Sequence, residues 1–315
     1  MASNNYLSNN LTILSKYTNI QYNDNELFIK LAKDGHGELV EAFIKLGADV
    51  HTNGEYALRN ASCNGHLDIV ECLLSYGADI HVHNDHALRY ASENGHLKVV
   101  ECLIKNGADI HAGNDGALRW ASHNGHLDVV KCLIKNGADV HADNEYALRY
   151  ATENGHLDVV KLLINHGADI HANEDESLDC ASENGHLAVV ECLIKYGARI
   201  HEREDYALRW ASHNGHLDVV KYLIENGADV HAKDDCALCW ASYNGHLEVV
   251  KYLIEHGADI HVHNDYALHN GHKDVVEYLN NHINNEKKEL KSKKIEELQK
   301  QLIDIQNQII DLMKM

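Results

Sequence analysis

The sequence predicts an all-α solenoid of about nine helix-turn-helix units with short connector turns, followed by a C-terminal coiled-coil helix. A pattern of thirty residues recurs through most of the chain, as DHALRYASENGH from Asp85, DGALRWASHNGH from Asp115, EYALRYATENGH from Glu145, DYALRWASHNGH from Asp205 and DCALCWASYNGH from Asp235. A period of that size marks stacked supersecondary units, none of which can bury its apolar face without neighbours. Within each copy the apolar residues fall at helical spacing and stop at Asn-Gly. The last residues leave this pattern and carry apolar side chains at alternating steps of three and four, the a and d positions of a heptad.

Taken in order, residues 1–20 are a polar segment, without the basic start and continuous apolar run of a secretory signal. Residues 21–282 are the repeat array. It opens with an atypical pair, Asn25 to Gly47, continues through seven regular units closed by glycine at 77, 107, 137, 167, 197, 227 and 257, and ends in a shortened eighth. In the copy from Asp85 to Gly107, the first helix carries Ala87, Leu88, Tyr90 and Ala91 and ends at Asn94-Gly95, where a left-handed residue is needed. The second carries Leu97, Val99, Val100, Leu103 and Ile104. The acid that closes each connector, Glu55, Asp85, Asp115, Glu145, Asp175, Asp205, Asp235 and Asp265, is expected to cap the following helix. In the last copy, four residues equivalent to Arg209–Ser212 are missing, so its first helix should be barely one turn. Residues 283–315 are the coiled-coil helix, with Ile295, Leu298, Leu302, Ile305, Ile309 and Leu312 as the oligomerisation seam. Gln299, Gln301, Gln306 and Gln308 flank it, so charge does not choose the partner.

Bulk composition narrows the function. Asp plus Glu is 48 against 28 Lys plus Arg, a formal charge of −20. That is opposite to what a phosphate-binding surface needs, so nucleic acid is not an expected partner. No stretch reaches the ~18 apolar residues of a membrane helix. Four of the eight cysteines (Cys72, Cys102, Cys132, Cys192) share one repeat position with Leu162, Tyr222 and Tyr252. They read as packing residues and reduced thiols, so a cytosol-like reducing compartment is expected rather than secretion.

The second half of the unit, as in NGHLDVVKYLIENGADVHA from Asn214 to Ala232, resembles the consensus of the ankyrin-repeat family. The first half departs from it. The family's T-P-L-H stands as Y-A-L-R in Tyr206 to Arg209, and the connector is about three residues shorter than in the ~33-residue family unit, which predicts tight turns in place of β-hairpins. Proline, at ~5% of average usage, is absent altogether. This short, proline-free unit is similar to the ankyrin arrays of giant DNA viruses of amoebae. The resemblance implies a protein-binding array that engages partners through its connector tips and concave helix face, and a viral protein directed at host proteins.

No catalytic constellation stands out, and no cofactor is expected. The 26 histidines fall in two main series, one after the G-A-D turn and one after the Asn-Gly of the helix junction. Equivalent members should lie roughly 8–10 Å apart, too far for ligands that must each reach one ion at about 2 Å. They read as turn and cap hydrogen-bonding residues, and no metal is expected. The C-x-x-C of Cys236 and Cys239 has Tyr206 and Arg209 at the same positions one unit earlier and reads as drift.

The candidate partner-binding residues are those that vary among otherwise similar copies. Arg203 is one of the connector-tip positions, and Tyr146 and Tyr206 start first helices. Tyr150 and Trp210 belong to an aromatic column with Tyr90, Trp120 and Trp240, which either packs between repeats or lines the concave face. Glu174, Asp175, Glu176 and Asp179 make one copy unusually acidic, either by drift or as a centre for a basic partner segment. The expected function is a non-enzymatic protein-protein interaction adaptor. The alternative is a self-associating scaffold built through the coiled coil, for which the seam makes the chain a candidate homo-oligomer.

Overall fold

A computed structural model describes residues 24–313, and these form eighteen helices without a strand. The polar segment 1–20 and the side chains of Asp265 and Leu312 lie outside the described residues. The chain divides into two compact units between Arg199 and Ile200.

The first unit holds six helix pairs. They are α1 (Asp24–Lys33) with α2 (Gly37–Lys45), α3 (Thr52–Cys63) with α4 (Leu67–Ser75), and α5 (Val82–Glu93) with α6 (Leu97–Lys105). There follow α7 (Ala112–His123) with α8 (Leu127–Lys135), α9 (Ala142–Glu153) with α10 (Leu157–Asn165), and α11 (Ala172–Glu183) with α12 (Leu187–Lys195). First helices pack on first helices and second on second. The pattern of apolar residues explains why. Ala87, Leu88 and Ala91 of α5 are buried on one side and Val99, Val100 and Leu103 of α6 on the other. Each fully buried Val or Leu is worth about 1.5–3 kcal/mol before entropy is subtracted. The small alanines let neighbouring first helices approach closely, while the branched residues fill the space beneath.

The second unit repeats this arrangement in α13 (Tyr206–His213) with α14 (Leu217–Glu225), α15 (Ala232–Asn244) with α16 (Leu247–Glu255), and α17 (Val262–Asn270) with α18 (Lys273–Met313). The shortened copy has a correspondingly short first helix. α17 and α5 both begin inside the connector, but α17 spans nine residues where α5 spans twelve, so few residues of helix follow the connector, and Gly271, at φ −69° and ψ 159°, leads directly into α18.

The tail is not a separate helix. α18 starts as the second helix of the last pair, burying Val275, Leu279 and Ile283, and then runs on without a break for 41 residues in all. The reason is one substitution. Second helices elsewhere stop at a glycine with φ between +88° and +102°, as at Gly77, Gly107 and Gly257. Counting from His272, that position is Ile283, for which a left-handed conformation is unfavourable, so the helix continues. Beyond it Ile295, Leu298, Leu302, Ile305 and Ile309 are about half exposed, at 46–56%. Among the described residues no helix is long and apolar enough to cross a membrane.

Candidate functional site

The connectors contain a turn that periodicity does not reveal. In seven of them, three consecutive residues are left-handed, as in His83 (φ 57°), Asn84 (59°) and Asp85 (50°). For residues other than glycine this costs roughly 1–2 kcal/mol each. Three sets of hydrogen bonds hold the turn. The aspartate of G-A-D accepts the backbone N–H two residues on, as from His81 to Asp79 at 2.9 Å. The Y-A-L-R arginine reaches back to the turn's carbonyls: Arg89 Nε and Nη2 donate to Asn84 O at 3.1 Å and His83 O at 2.9 Å. Arg59 and Arg209 repeat the pattern.

The third set corrects the expected capping. The closing acid is itself left-handed and buried, with Asp85 3% and Asp115 4% exposed. It clips the next connector instead: Asp109 N–H donates to Asp85 at 2.9 Å, Asp139 N–H to Asp115 at 2.8 Å and Asp259 N–H to Asp235 at 2.8 Å. Asp205, at the N-terminus of α13, makes no side-chain cap bond. The same carboxylates accept from the first histidine series, His111 Nδ1 donating to Asp115 at 3.2 Å and His141 Nδ1 to Glu145 at 2.5 Å.

The second histidine series joins repeats. Nε2–H of His66, His96, His126, His156 and His186 donates to the carbonyl 33 residues earlier, at 2.9–3.0 Å. Each imidazole lies over the junction glycine of the preceding repeat: a Cβ on Gly125 would stand 2.5 Å from His156 Nδ1. Gly125 thus serves both its left-handed φ of +73° and the close approach of a ring. The histidines of these two series are hydrogen-bonding residues of turns and of repeat junctions. Among the described residues, no group of three or more His, Cys, Asp or Glu side chains is placed to hold a metal ion.

His51, His111 and His141 of the first series and His156 of the second should titrate in opposite directions. Hydrogen bonding to Glu55, Asp115 and Glu145 raises His51, His111 and His141, whereas burial lowers His156. The stability linked to the raised group is full below the unfolded value near 6.5 and is lost as pH rises through the folded pKa. That linked to His156 is present above 6.5 and lost as pH falls through its folded value. In a two-dimensional NMR titration, His111 is expected to titrate above 6.5 and His156 below it. Midpoints in the reverse order would contradict the hydrogen-bond assignment.

The aromatic column lies on the face formed by the first helices, among rings and cations. In the first unit, Trp120 is 37% exposed, with His123 stacked at 5.5 Å and Tyr150 at 6.4 Å. Tyr146 meets Tyr150 edge-on at 4.5 Å and lies under the Arg149 guanidinium at 3.9 Å. In the second unit, Trp210 meets Trp240 edge-on at 5.4 Å, and Arg203 covers Tyr206 at 4.0 Å. The structure brings Arg203, Tyr206 and Trp210 together in a groove of ≈ 440 Å³, with Glu204, Arg209, Lys233 and Trp240 as its other walls. Tyr146 and Tyr150 form a different patch, in the other unit.

The acidic copy is mostly consumed by internal contacts. Asp175 is 1% and Asp179 5% exposed. Asp175 accepts from Arg199 N–H at 3.0 Å and Nε at 2.8 Å, while Glu176 pairs with Arg149 at 2.9 Å. Of the four acids, Glu174 alone is exposed, so the cluster is not an open acidic surface. Burial rather than drift alone accounts for Asp175, which holds a connector as its equivalents do.

Sequence reasoning placed Trp240 in the aromatic column and Lys233 at a variable connector tip, but missed the arginine column and Arg209 as a wall of the groove. The available signal was the recurrence of arginine six residues after the connector tip. All eight cysteines are free. Burial pushes the thiols of Cys180 and Cys239 up to about 12 and about 11, so Cys236 and Cys239 do not form the low-pKa pair of a redox site.

A family model described as ankyrin repeats (3 copies) matches residues 28–114, 118–204 and 178–264. Among curated proteins no match is found.

Proposed function

The chain belongs to the ankyrin-repeat family, whose members are generally protein-protein interaction modules and typically non-enzymatic, and from that premise we propose that it is a non-enzymatic adaptor that captures a protein partner on the face of its first helices. One observation carries the reading: rings and guanidinium groups that the Ala-Leu-Ala and Val-Val-Leu core does not need stand on that face, with Trp120 and Tyr56 exposed. Tyr, Trp and Arg are the residues on which interfaces concentrate their energy. The free, protonated thiols fit a reducing compartment, and the short proline-free unit extends the reading to a viral protein acting on host proteins.

A second reading, a self-associating scaffold, rests on the apolar seam of α18 from Ile295 to Ile309, half exposed along its length. A second copy of the chain would cover it as a coiled coil. Affinity capture from cytosolic extract with the full chain and a chain ending at Asn285 separates the two. A stoichiometric partner retained by both baits supports the adaptor. Self-association alone, confined to the full chain, supports the scaffold and overturns the adaptor.

A further inference from the structure

We propose that Asn53, at a connector tip, is a site of spontaneous deamidation in the folded chain. Twelve Asn-Gly pairs stand in the sequence, and glycine, without a Cβ, is the successor that least hinders attack of its own backbone nitrogen on an asparagine side chain. In that reaction the glycine nitrogen bonds to the side-chain Cγ and the Cγ–Nδ2 bond breaks. The displaced amide takes up the glycine proton and leaves as ammonia. Water then opens the five-membered imide, giving an aspartate or, through the other carbonyl, an isoaspartate whose main chain runs through the side chain. Every Asn-Gly of an unfolded chain is open to this reaction, so the fold decides which pairs remain reactive.

In ten of the twelve, the side-chain amide donates to the carbonyl four residues earlier, as from Asn94 to Tyr90 at 2.8 Å and from Asn106 to Cys102 at 2.8 Å. That bond folds Cγ back along the helix, away from the next nitrogen, and holds the leaving group. The glycine N–H is engaged as well, Gly95 on Ser92 O at 3.2 Å and Gly107 on Ile104 O at 3.0 Å. At the helix junctions a histidine ring of the next repeat also lies against the glycine. Asn214, the eleventh, has a partner too.

Asn53 differs. It is exposed, and its side-chain amide makes no hydrogen bond among the described residues. Its pair is the one Asn-Gly at a connector tip, where other copies run His83-Asn84, Asp143-Asn144 or Lys233-Asp234. Only main-chain bonds must open there: Gly54 N–H to His51 O at 3.1 Å, and Arg59 to Asn53 O at 3.2 Å and to Gly54 O at 3.1 Å. Opening an exposed turn is the least costly kind of local unfolding, and it disturbs no repeat junction. The product carboxylate would stand near Arg59, whose guanidinium covers the exposed Tyr56 ring at 4.8 Å, so a neutral tip becomes an acidic one.

The test ages the full chain in mildly alkaline buffer, folded and in guanidinium chloride, and follows its tryptic peptides by mass spectrometry. Residues 46–59, 90–98 and 120–131 each carry a single Asn-Gly, at Asn53, Asn94 and Asn124. In the folded chain Asn53 is expected to convert to the aspartate and isoaspartate forms at least tenfold faster than Asn94 or Asn124. In denaturant the three rates should draw together. Asn53→Gln, with its fold checked by circular dichroism, should remove most of the ammonia that the folded chain releases. The proposal is overturned if Asn53 stays intact in the folded chain, or if the junction asparagines convert as fast. It also falls if the gap persists in denaturant, which would assign it to neighbouring residues rather than to the fold, or if Asn53→Gln leaves the release of ammonia unchanged.

Discussion

Replacing Asp115 with alanine is expected to lower the stability of the chain by about 2–4 kcal/mol, read as a shift of the urea midpoint. The carboxylate is buried and does two jobs. It accepts the Asp139 N–H at 2.8 Å from the next connector and the His111 Nδ1–H at 3.2 Å from its own. Alanine leaves the first donor without its acceptor and the second without the charge that favours imidazolium. Asp115→Asn separates the two: it keeps an oxygen for Asp139 but not the charge, so it should cost less, while His111 moves back toward 6.5. If Asp115→Ala shifts the midpoint no more than an exposed substitution such as Asp128→Ala, the clip is not a stabilising element.

The second large effect is at the helix junction. Gly125→Ala should cost about 2–4 kcal/mol and Gly107→Ala only about 1 kcal/mol. Both glycines are left-handed, at φ +73° and +95°. They differ in what the new methyl meets: nothing lies within 4 Å at Gly107, whereas at Gly125 the His156 ring is 2.5 Å away and must give up its 2.9 Å bond to the His123 carbonyl. Paired denaturation curves test this. Equal losses would mean that backbone conformation alone dictates the Asn-Gly-His motif.

The architecture was legible because its signals are local. The spacing of Val99, Val100 and Leu103 and the stop at Asn106-Gly107 place a helix from adjacent residues alone. The clips were not legible, because Asp85 finds its acceptor role with an amide 24 residues later and so reads as a helix cap when only its neighbours are considered. The same blindness affected the acidic copy: four carboxylates in six residues look like a surface until Asp175 and Asp179 prove buried. Arg203, Tyr206 and Trp210 were chosen for variability or aromaticity, and the groove that unites them also needs Lys233 and Trp240 from the following repeat.

The bond from junction histidines such as His96 to a carbonyl 33 residues earlier bears on how the chain is made. A helix pair leaving the ribosome has its glycine uncovered and its carbonyl unmatched until the next pair follows. At about 5–20 residues per second, roughly two to seven seconds separate a unit from the ring that completes it. Synthesis therefore seals the array from the rear, one unit behind the growing end, and a pause in translation leaves the newest junction open to water and proteases.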